Sequence, residues 1–246
     1  MVAILPDRQR THTRAASGHD QIVRVLGGDI LAGRIVPGQK LPPEPELLAR
    51  FGVSRTALRE AIKTLTAKGM LVAKTRVGTK VSDPLAWNFF DPEVLAWRVE
   101  QGMDADFRRS LVEIRRAIEP AAADLAAQRC TPQEVAELRA LLQSMSSEKS
   151  SAYAFARADL AFHVAVGSAS RNPMMRSLAG VIEAALLEAF TLSPPTADTA
   201  LHVETVELHE RVVDAIEAGD GAGARAAMLE VIDAGYTRVE DERAGA

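Results

Sequence analysis

Apolar side chains recur along most of this chain at steps of three and four, the period of an amphipathic helix. Between His19 and Leu31 the positions Ile22, Val23, Leu26, Ile30 and Leu31 make one such face. Gly33 and the Pro37-Gly38 pair end that helix. A short helix follows in "LPPEPELLARFGVS", where Pro42, Pro43 and Pro45 fit only at its entry. Gly52 breaks it, and Ser54 caps a third helix beginning at Arg55. There Ala57, Leu58, Ala61, Ile62 and Leu65 supply the packed side. Arg55, Arg59 and Lys63 form a cationic stripe at i, i+4 and i+8. The pattern then changes at "MLVAKTRVGTKVS", where Leu71, Val72 and Val81 flank a turn at Gly78. This predicts a two-stranded wing carrying Lys74, Arg76 and Lys80.

"DPLAWNFFDPEVLAW" holds both tryptophans and two prolines. It is expected to be an interdomain connection over residues 84–100, with Trp87, Phe89, Phe90 and Trp97 packed between domains. Beyond it every segment reads helical. Phe107, Leu111, Ile114, Ile118 and Leu125 share one face, with a kink expected at Pro120. Further helices are expected at 132–147, 151–169, 173–191, 200–218 and 221–240. The fold class is thus a winged helix-turn-helix over residues 19–83, preceded by a flexible arm at 1–18, and an all-helical bundle over 101–246.

Charge sharpens this division. The chain of 246 residues carries a net −4. Residues 1–83 hold 14 Lys/Arg against 7 Asp/Glu, a net +7, whereas the remainder is −11. A basic N-terminal third implies an anionic partner, nucleic acid before membrane. The single cysteine, Cys130, excludes a disulfide framework within the chain and a cysteine-rich metal site. No apolar run near 20 residues is evident. A cytoplasmic protein is expected.

The stretch "GRIVPGQKLPPEPELLARFGVSRTALREAIKTLTAKGMLV" resembles the winged helix-turn-helix of GntR-family transcription regulators of the FadR type. "VEIRRAIEPAAADLAA", "ADLAFHVAVGSASRNP" and "LHERVVDAIEAGD" resemble that family's all-α effector (FCD) domain. "WNFFDPEVLAW" further resembles the branch that represses galactonate catabolism. The resemblance implies a homodimer that binds a palindromic operator and is released by a small carboxylate, such as a hexonate. Arg55 and Arg59 can each grip guanine N7 and O6 through a planar fork. Ser54, Thr56 and Lys63 suit phosphate positioning, and Arg76 beside Gly78 is the wing's groove or backbone probe. The family often has an arginine where this chain has Pro45, and a glycine-arginine pair at Arg76-Val77, so a different operator is expected.

Asp159 and His163 stand four apart on one helix face, and His209 shares a face with Val212 and Ile216. Those residue types suit a divalent cation such as Zn²⁺, Mn²⁺ or Ni²⁺. The family resemblance implies a further histidine, but Val231 occupies its position, and His202 lies outside the matched motif. Three protein ligands with water or effector oxygens, direct hydrogen bonding of a polar effector, and a plain Asp-His pair all remain open. Arg115, which Glu119 alone could neutralise, is placed in the pocket by the resemblance as the carboxylate-binding residue. Thr205, Arg238 and Asn172 complete the candidate effector set, although Asn172 also suits a cap for the helix at Pro173. A metal-dependent hydrolase and an effector-insensitive architectural DNA-binding protein are the alternatives. No HExxH, GxSxG or P-loop supports catalysis.

Overall fold

The computed structural model describes residues 17–74, 78–148 and 151–245, which divide into two compact units meeting at Gly102 and Met103. The expected arm, apart from its last two residues, lies outside the described residues, as does Arg76.

In the N-terminal unit, α1 (Gly18–Leu31) begins at a reciprocal cap between Ser17 and Asp20. Helix α2 (Glu44–Phe51) ends on Gly52, whose φ of 64° is a left-handed conformation that glycine adopts without strain. Ser54 then opens α3 (Arg55–Ala67), its hydroxyl accepting from the Ala57 amide. Strands β1 (Leu71–Lys74) and β2 (Gly78–Val81) pair antiparallel, with Leu71 opposite Val81. An isolated bridge between Lys40 and Lys80 extends this wing. Ile22, Leu26, Ile30, Leu47, Leu58 and Leu65 form the core, none more than 2% exposed. These elements are the winged helix-turn-helix that the periodicity predicts.

The unit does not stop at residue 83. Helix α4 (Pro92–Glu100) packs on α1, and Val94 and Trp97 belong to the same core. The docking depends on Gly27, because a Cβ there would lie 2.6 Å from the Trp97 ring. Trp87 and Phe89 also pack against this core, whereas Phe90 is 60% exposed. The aromatic segment read as an interdomain connection therefore completes the N-terminal unit. Gly69 shows how closely it fits: its φ is +77°, and a Cβ would lie 1.9 Å from the Ala86 carbonyl oxygen.

The second unit is a bundle of α5 (Ala105–Arg129), α6 (Pro132–Ser147), α7 (Ala152–Ala169), α8 (Pro173–Arg176), α9 (Ala179–Leu192), α10 (Thr199–Glu217) and α11 (Gly221–Gly245). Phe155, Phe162, Leu138, Val166, Val212 and Met228 sit at its centre, at 0–1% exposure. Three details depart from the sequence reading. The helix expected at 173–191 breaks after Arg176, making α8 and α9. The inner face of α5 is not the Ile114–Ile118 row, which is half-buried, but Leu111, Val112, Arg115, Glu119, Ala122 and Ala126. The segment Pro173–Ala197 is long and apolar enough for a membrane span, contrary to the sequence reading, but nearly half of it is packed inside the bundle.

Candidate functional site

Helix α3 turns Leu58, Ala61 and Leu65 inward and presents its cations outward. Arg55, Arg59 and Lys63 side chains are 76%, 69% and 73% exposed. Among the described residues, Lys63 pairs with Glu60 on its own helix, at 2.8 Å. A row of exposed cations on one helix face has the charge and spacing to suit phosphates or base edges. Ser54 lies at the tip, with its hydroxyl accepting the cap hydrogen bond, and Thr56 is exposed beside it. Gly78 starts β2 with φ +97°, a turn conformation favouring glycine.

In the bundle, three helices bring titratable groups to one buried centre. Helix α7 supplies Asp159 and His163, α10 supplies His209, and α5 supplies Arg115 and Glu119. Ligand-competent atoms of Asp159, His163 and His209 all lie within 4.8 Å of one another. Asp159 Oδ1 is 3.1 Å from His163 Nε2 and 3.2 Å from His209 Nε2. On the far side of each imidazole stands an orienting acceptor. His209 Nδ1 donates to the Thr205 carbonyl at 2.7 Å, and His163 Nδ1 lies 2.5 Å from Glu119 Oε2. Glu119 Oε1 accepts from Arg115 Nε, also at 2.5 Å.

With its Nδ1 proton on Thr205, a neutral His209 turns an Nε2 lone pair toward a carboxylate oxygen. Two acceptors facing each other in a buried site need a cation between them, either a proton or a metal ion. His163 Nδ1 and Nε2 and Glu119 Oε2 are close to partners yet lack hydrogen-bond geometry. The donor set, its convergence and these unsatisfied atoms fit a divalent cation. The same charges can be balanced by protons. Burial alone would lower the pKa of His163, but Glu119 and Asp159 overcome it and raise the value to about 9. Burial would raise both carboxyls. Arg115 and His163 instead bring Glu119 down to about 2, and His209 and His163 hold Asp159 far below the usual carboxylate range.

A cavity opens beside this centre, with Arg108, Arg115, Glu188, Thr205, Val231 and Arg238 in its wall. Val231, on α11, is an apolar part of that wall. Arg115 lines the cavity, but its guanidinium is tied to Glu119. Arg238 donates from Nε to the Ser193 carbonyl at 3.2 Å. No carboxylate among the described residues stands within ion-pairing distance of it. Burial pulls its pKa down against the opposing pull of Asp159 and Glu204. Thr205 lines the cavity while donating its hydroxyl to the Leu201 carbonyl.

Asn172 is not part of this wall. Its side-chain oxygen accepts from the Met174 amide and caps α8, so the carboxamide serves the local turn. His202 is also elsewhere: its Nε2 is 3.0 Å from the Met145 carbonyl and its ring packs edge-on to Phe155. Two wall residues escaped the sequence reading. Arg108 is buried, donates to the Met103 carbonyl at 2.6 Å and lies 3.3 Å from Glu240. Glu188 pairs with Arg243 at 3.1 Å. Arg108 stands seven residues before Arg115, a spacing that places both on one face of α5.

A winged helix-turn-helix joined to a helical bundle, with a cavity beside a buried Asp-His-His cluster, defines the class of ligand-responsive, DNA-binding transcription regulators. Comparison with known proteins gives the same class. Residues 19–81 match the family described as bacterial regulatory proteins, gntR family, and residues 110–234 match the FCD domain. The chain belongs to the GntR family, in the group whose effector domain is of the FCD type. It is 33% identical to the galactonate operon transcriptional repressor of Escherichia coli (strain K12) over 90% of this chain and 96% of that protein. It is 38% identical to the E. coli regulator YieP, over 81% and 85% respectively. A putative L-lactate dehydrogenase operon regulatory protein of E. coli is 32% identical over 78% of this chain and 74% of its own length. Among solved structures, Lar, which controls expression of the Listeria monocytogenes agr system, aligns with a TM-score of 0.64. That likeness, at 21% identity, covers 91% of this chain and 96% of the other and concerns the fold.

Proposed function

We propose that this regulator represses a catabolic operon and leaves its operator when a 2-hydroxy carboxylate, a hexonate in the first instance, occupies the bundle cavity. The observation that carries this reading is Arg238, a half-buried guanidinium in the cavity wall with no carboxylate in ion-pairing reach among the described residues. It is placed to take the carboxylate of an incoming acid through paired hydrogen bonds. Arg115, held at Nε by Glu119, is assigned instead to fixing the carboxylate that orients His163, which revises its expected role. The relatives' names point the same way, since galactonate and L-lactate share a carboxylate with a hydroxyl on the next carbon.

Asp159, His163 and His209 would hold a divalent ion, with Glu119 and the Thr205 carbonyl orienting the two imidazoles. When bound, the ion supplies Lewis-acid bonds to ligand oxygens, and Val231 leaves room for an exchangeable position there. Operator binding is assigned to a homodimer whose two α3 helices read a palindrome. Arg55 and Arg59 read guanine edges, while Ser54, Thr56, Lys63 and the wing at Gly78 set the register. Effector binding acts only through its unequal affinity for operator-competent and released states.

The test is a thermal-shift series on the full chain, with hexonates, L-lactate and non-hydroxylated acids, each with and without chelator. At about a hundredfold excess over Kd a ligand adds about 2.7 kcal/mol of stability. Shifts confined to 2-hydroxy acids and lost in Arg238→Met support the reading. Equal shifts with acids lacking the hydroxyl overturn the ligand class, and shifts indifferent to chelator overturn the metal.

A further inference from the structure

Besides Glu60, which pairs with Lys63, the cationic face of α3 has a second carboxylate beside it, at Glu44. Glu44, the first residue of α2, lies between the two arginines of α3. Its Oε1 is 3.5 Å from Arg55 Nε and its Oε2 is 3.9 Å from Arg59 Nε. Its side chain is 39% exposed, against 76% and 69% for the arginines. Pro43 and Pro45 flank it, so the backbone carrying the carboxylate has little freedom.

We propose that Glu44 is a specificity-determining residue. It brackets Arg55 and Arg59 by their Nε edges, so that the terminal Nη edges face guanine and stray phosphate contacts are discouraged. The geometry divides the labour within each guanidinium. An arginine approached at Nε keeps both Nη groups, the pair that can meet guanine O6 and N7. Each carboxylate oxygen serves one arginine, so a single residue orders two long side chains one helical turn apart. Both distances are wider than a hydrogen bond, so the bracket guides the arginines without locking them away from DNA. The carboxylate also repels phosphates locally. Both effects lower binding to arbitrary DNA more than binding to a site with correctly placed guanines.

The inference rests on the assigned base-reading role of Arg55 and Arg59, and the experiment separates the two. A duplex selected from a random pool with the wild-type chain is compared with a scrambled duplex and with the selected duplex carrying 7-deazaguanine. Affinities of wild type, Glu44→Gln and Glu44→Asp are measured across a salt series, with melting temperatures as a folding control. Ordering two side chains is worth about tenfold in the ratio of selected to scrambled affinity. Glu44→Gln is expected to bind scrambled DNA more tightly, lose that tenfold in ratio, and show a smaller 7-deazaguanine penalty. Glu44→Asp keeps the charge but not the reach, so it should lose ratio without gaining scrambled-DNA affinity. Equal changes on both duplexes would make Glu44 a simple repulsive charge and overturn the proposal. A changed preference at a cytosine would make it a direct reader, which also overturns it. If wild type itself shows no 7-deazaguanine penalty, the base-reading role fails first.

Discussion

Replacing Glu119 by glutamine removes the charge that joins Arg115 to His163. Arg115 Nε and His163 Nδ1 each lie 2.5 Å from a different Glu119 oxygen, and none of the three side chains is more than 8% exposed. Water cannot take over the lost interaction at such burial. Leaving one member of a buried ion pair uncompensated costs about 3–5 kcal/mol. For a unit of this size, at about 2–4 °C per kcal/mol, the melting temperature should fall by about 6–20 °C. Circular dichroism melts of the metal-free protein would measure this. The decisive control is Glu119→Gln combined with Arg115→Met. That pair removes the orphaned guanidinium as well, so the double variant should recover at least about 1 kcal/mol relative to the single one. A single-variant loss below about 1 kcal/mol would refute the reasoning. So would a double variant that is less stable by the sum of both single losses.

Four further outcomes are expected. Arg59→Ala should weaken binding to a selected operator by about 1–3 kcal/mol more than binding to random DNA, whereas Lys63→Ala should weaken both alike, as read by fluorescence anisotropy. Gly69→Ala meets both a positive φ and the Ala86 carbonyl, so it should destabilise the N-terminal unit by at least about 2 kcal/mol in chemical denaturation; a neutral result would mean that residues 84–100 do not pack there. Asp29, held between Arg34 at 2.7 Å and Arg50 at 2.9 Å, has its pKa lowered by those arginines against the effect of burial. Its contribution is therefore present above the unfolded value near 3.8 and lost as pH falls through the lower folded value, so Asp29→Asn should cost about 1–3 kcal/mol at pH 7 and progressively less below pH 4. Val231→His adds a nitrogen to the cavity wall beside His209 and should tighten Zn²⁺ binding in competition with a chromophoric chelator; unchanged affinity would place the ion elsewhere.

Local pattern carried the helix-turn-helix into view. Ile22, Leu26 and Ile30 repeat at helical spacing, Gly52 and Ser54 mark a turn and a cap, and Arg55, Arg59 and Lys63 need only α3 to share a face. Such features depend on residues a turn or two apart, so periodicity and cap chemistry determine them. The candidate metal set was partly legible for the same reason: Asp159 and His163 are neighbours on one helix, whereas periodicity puts His209 only on the inner face of α10, and it meets Asp159 only in the folded bundle. Packing also decided which side of α5 faces inward. Ile114 and Ile118 are the more apolar row, yet Arg115 and Glu119 are buried because His163 and the cavity wall satisfy their charge. It drew Trp97 into the N-terminal core, since only Gly27 on α1 leaves space for its ring. Asn172 caps its own helix instead of reaching the cavity, and Glu44 meets two arginines more than ten positions away. Helical period reports which residues share a face; partners distant in sequence decide what that face meets, and burial of charge follows the partner.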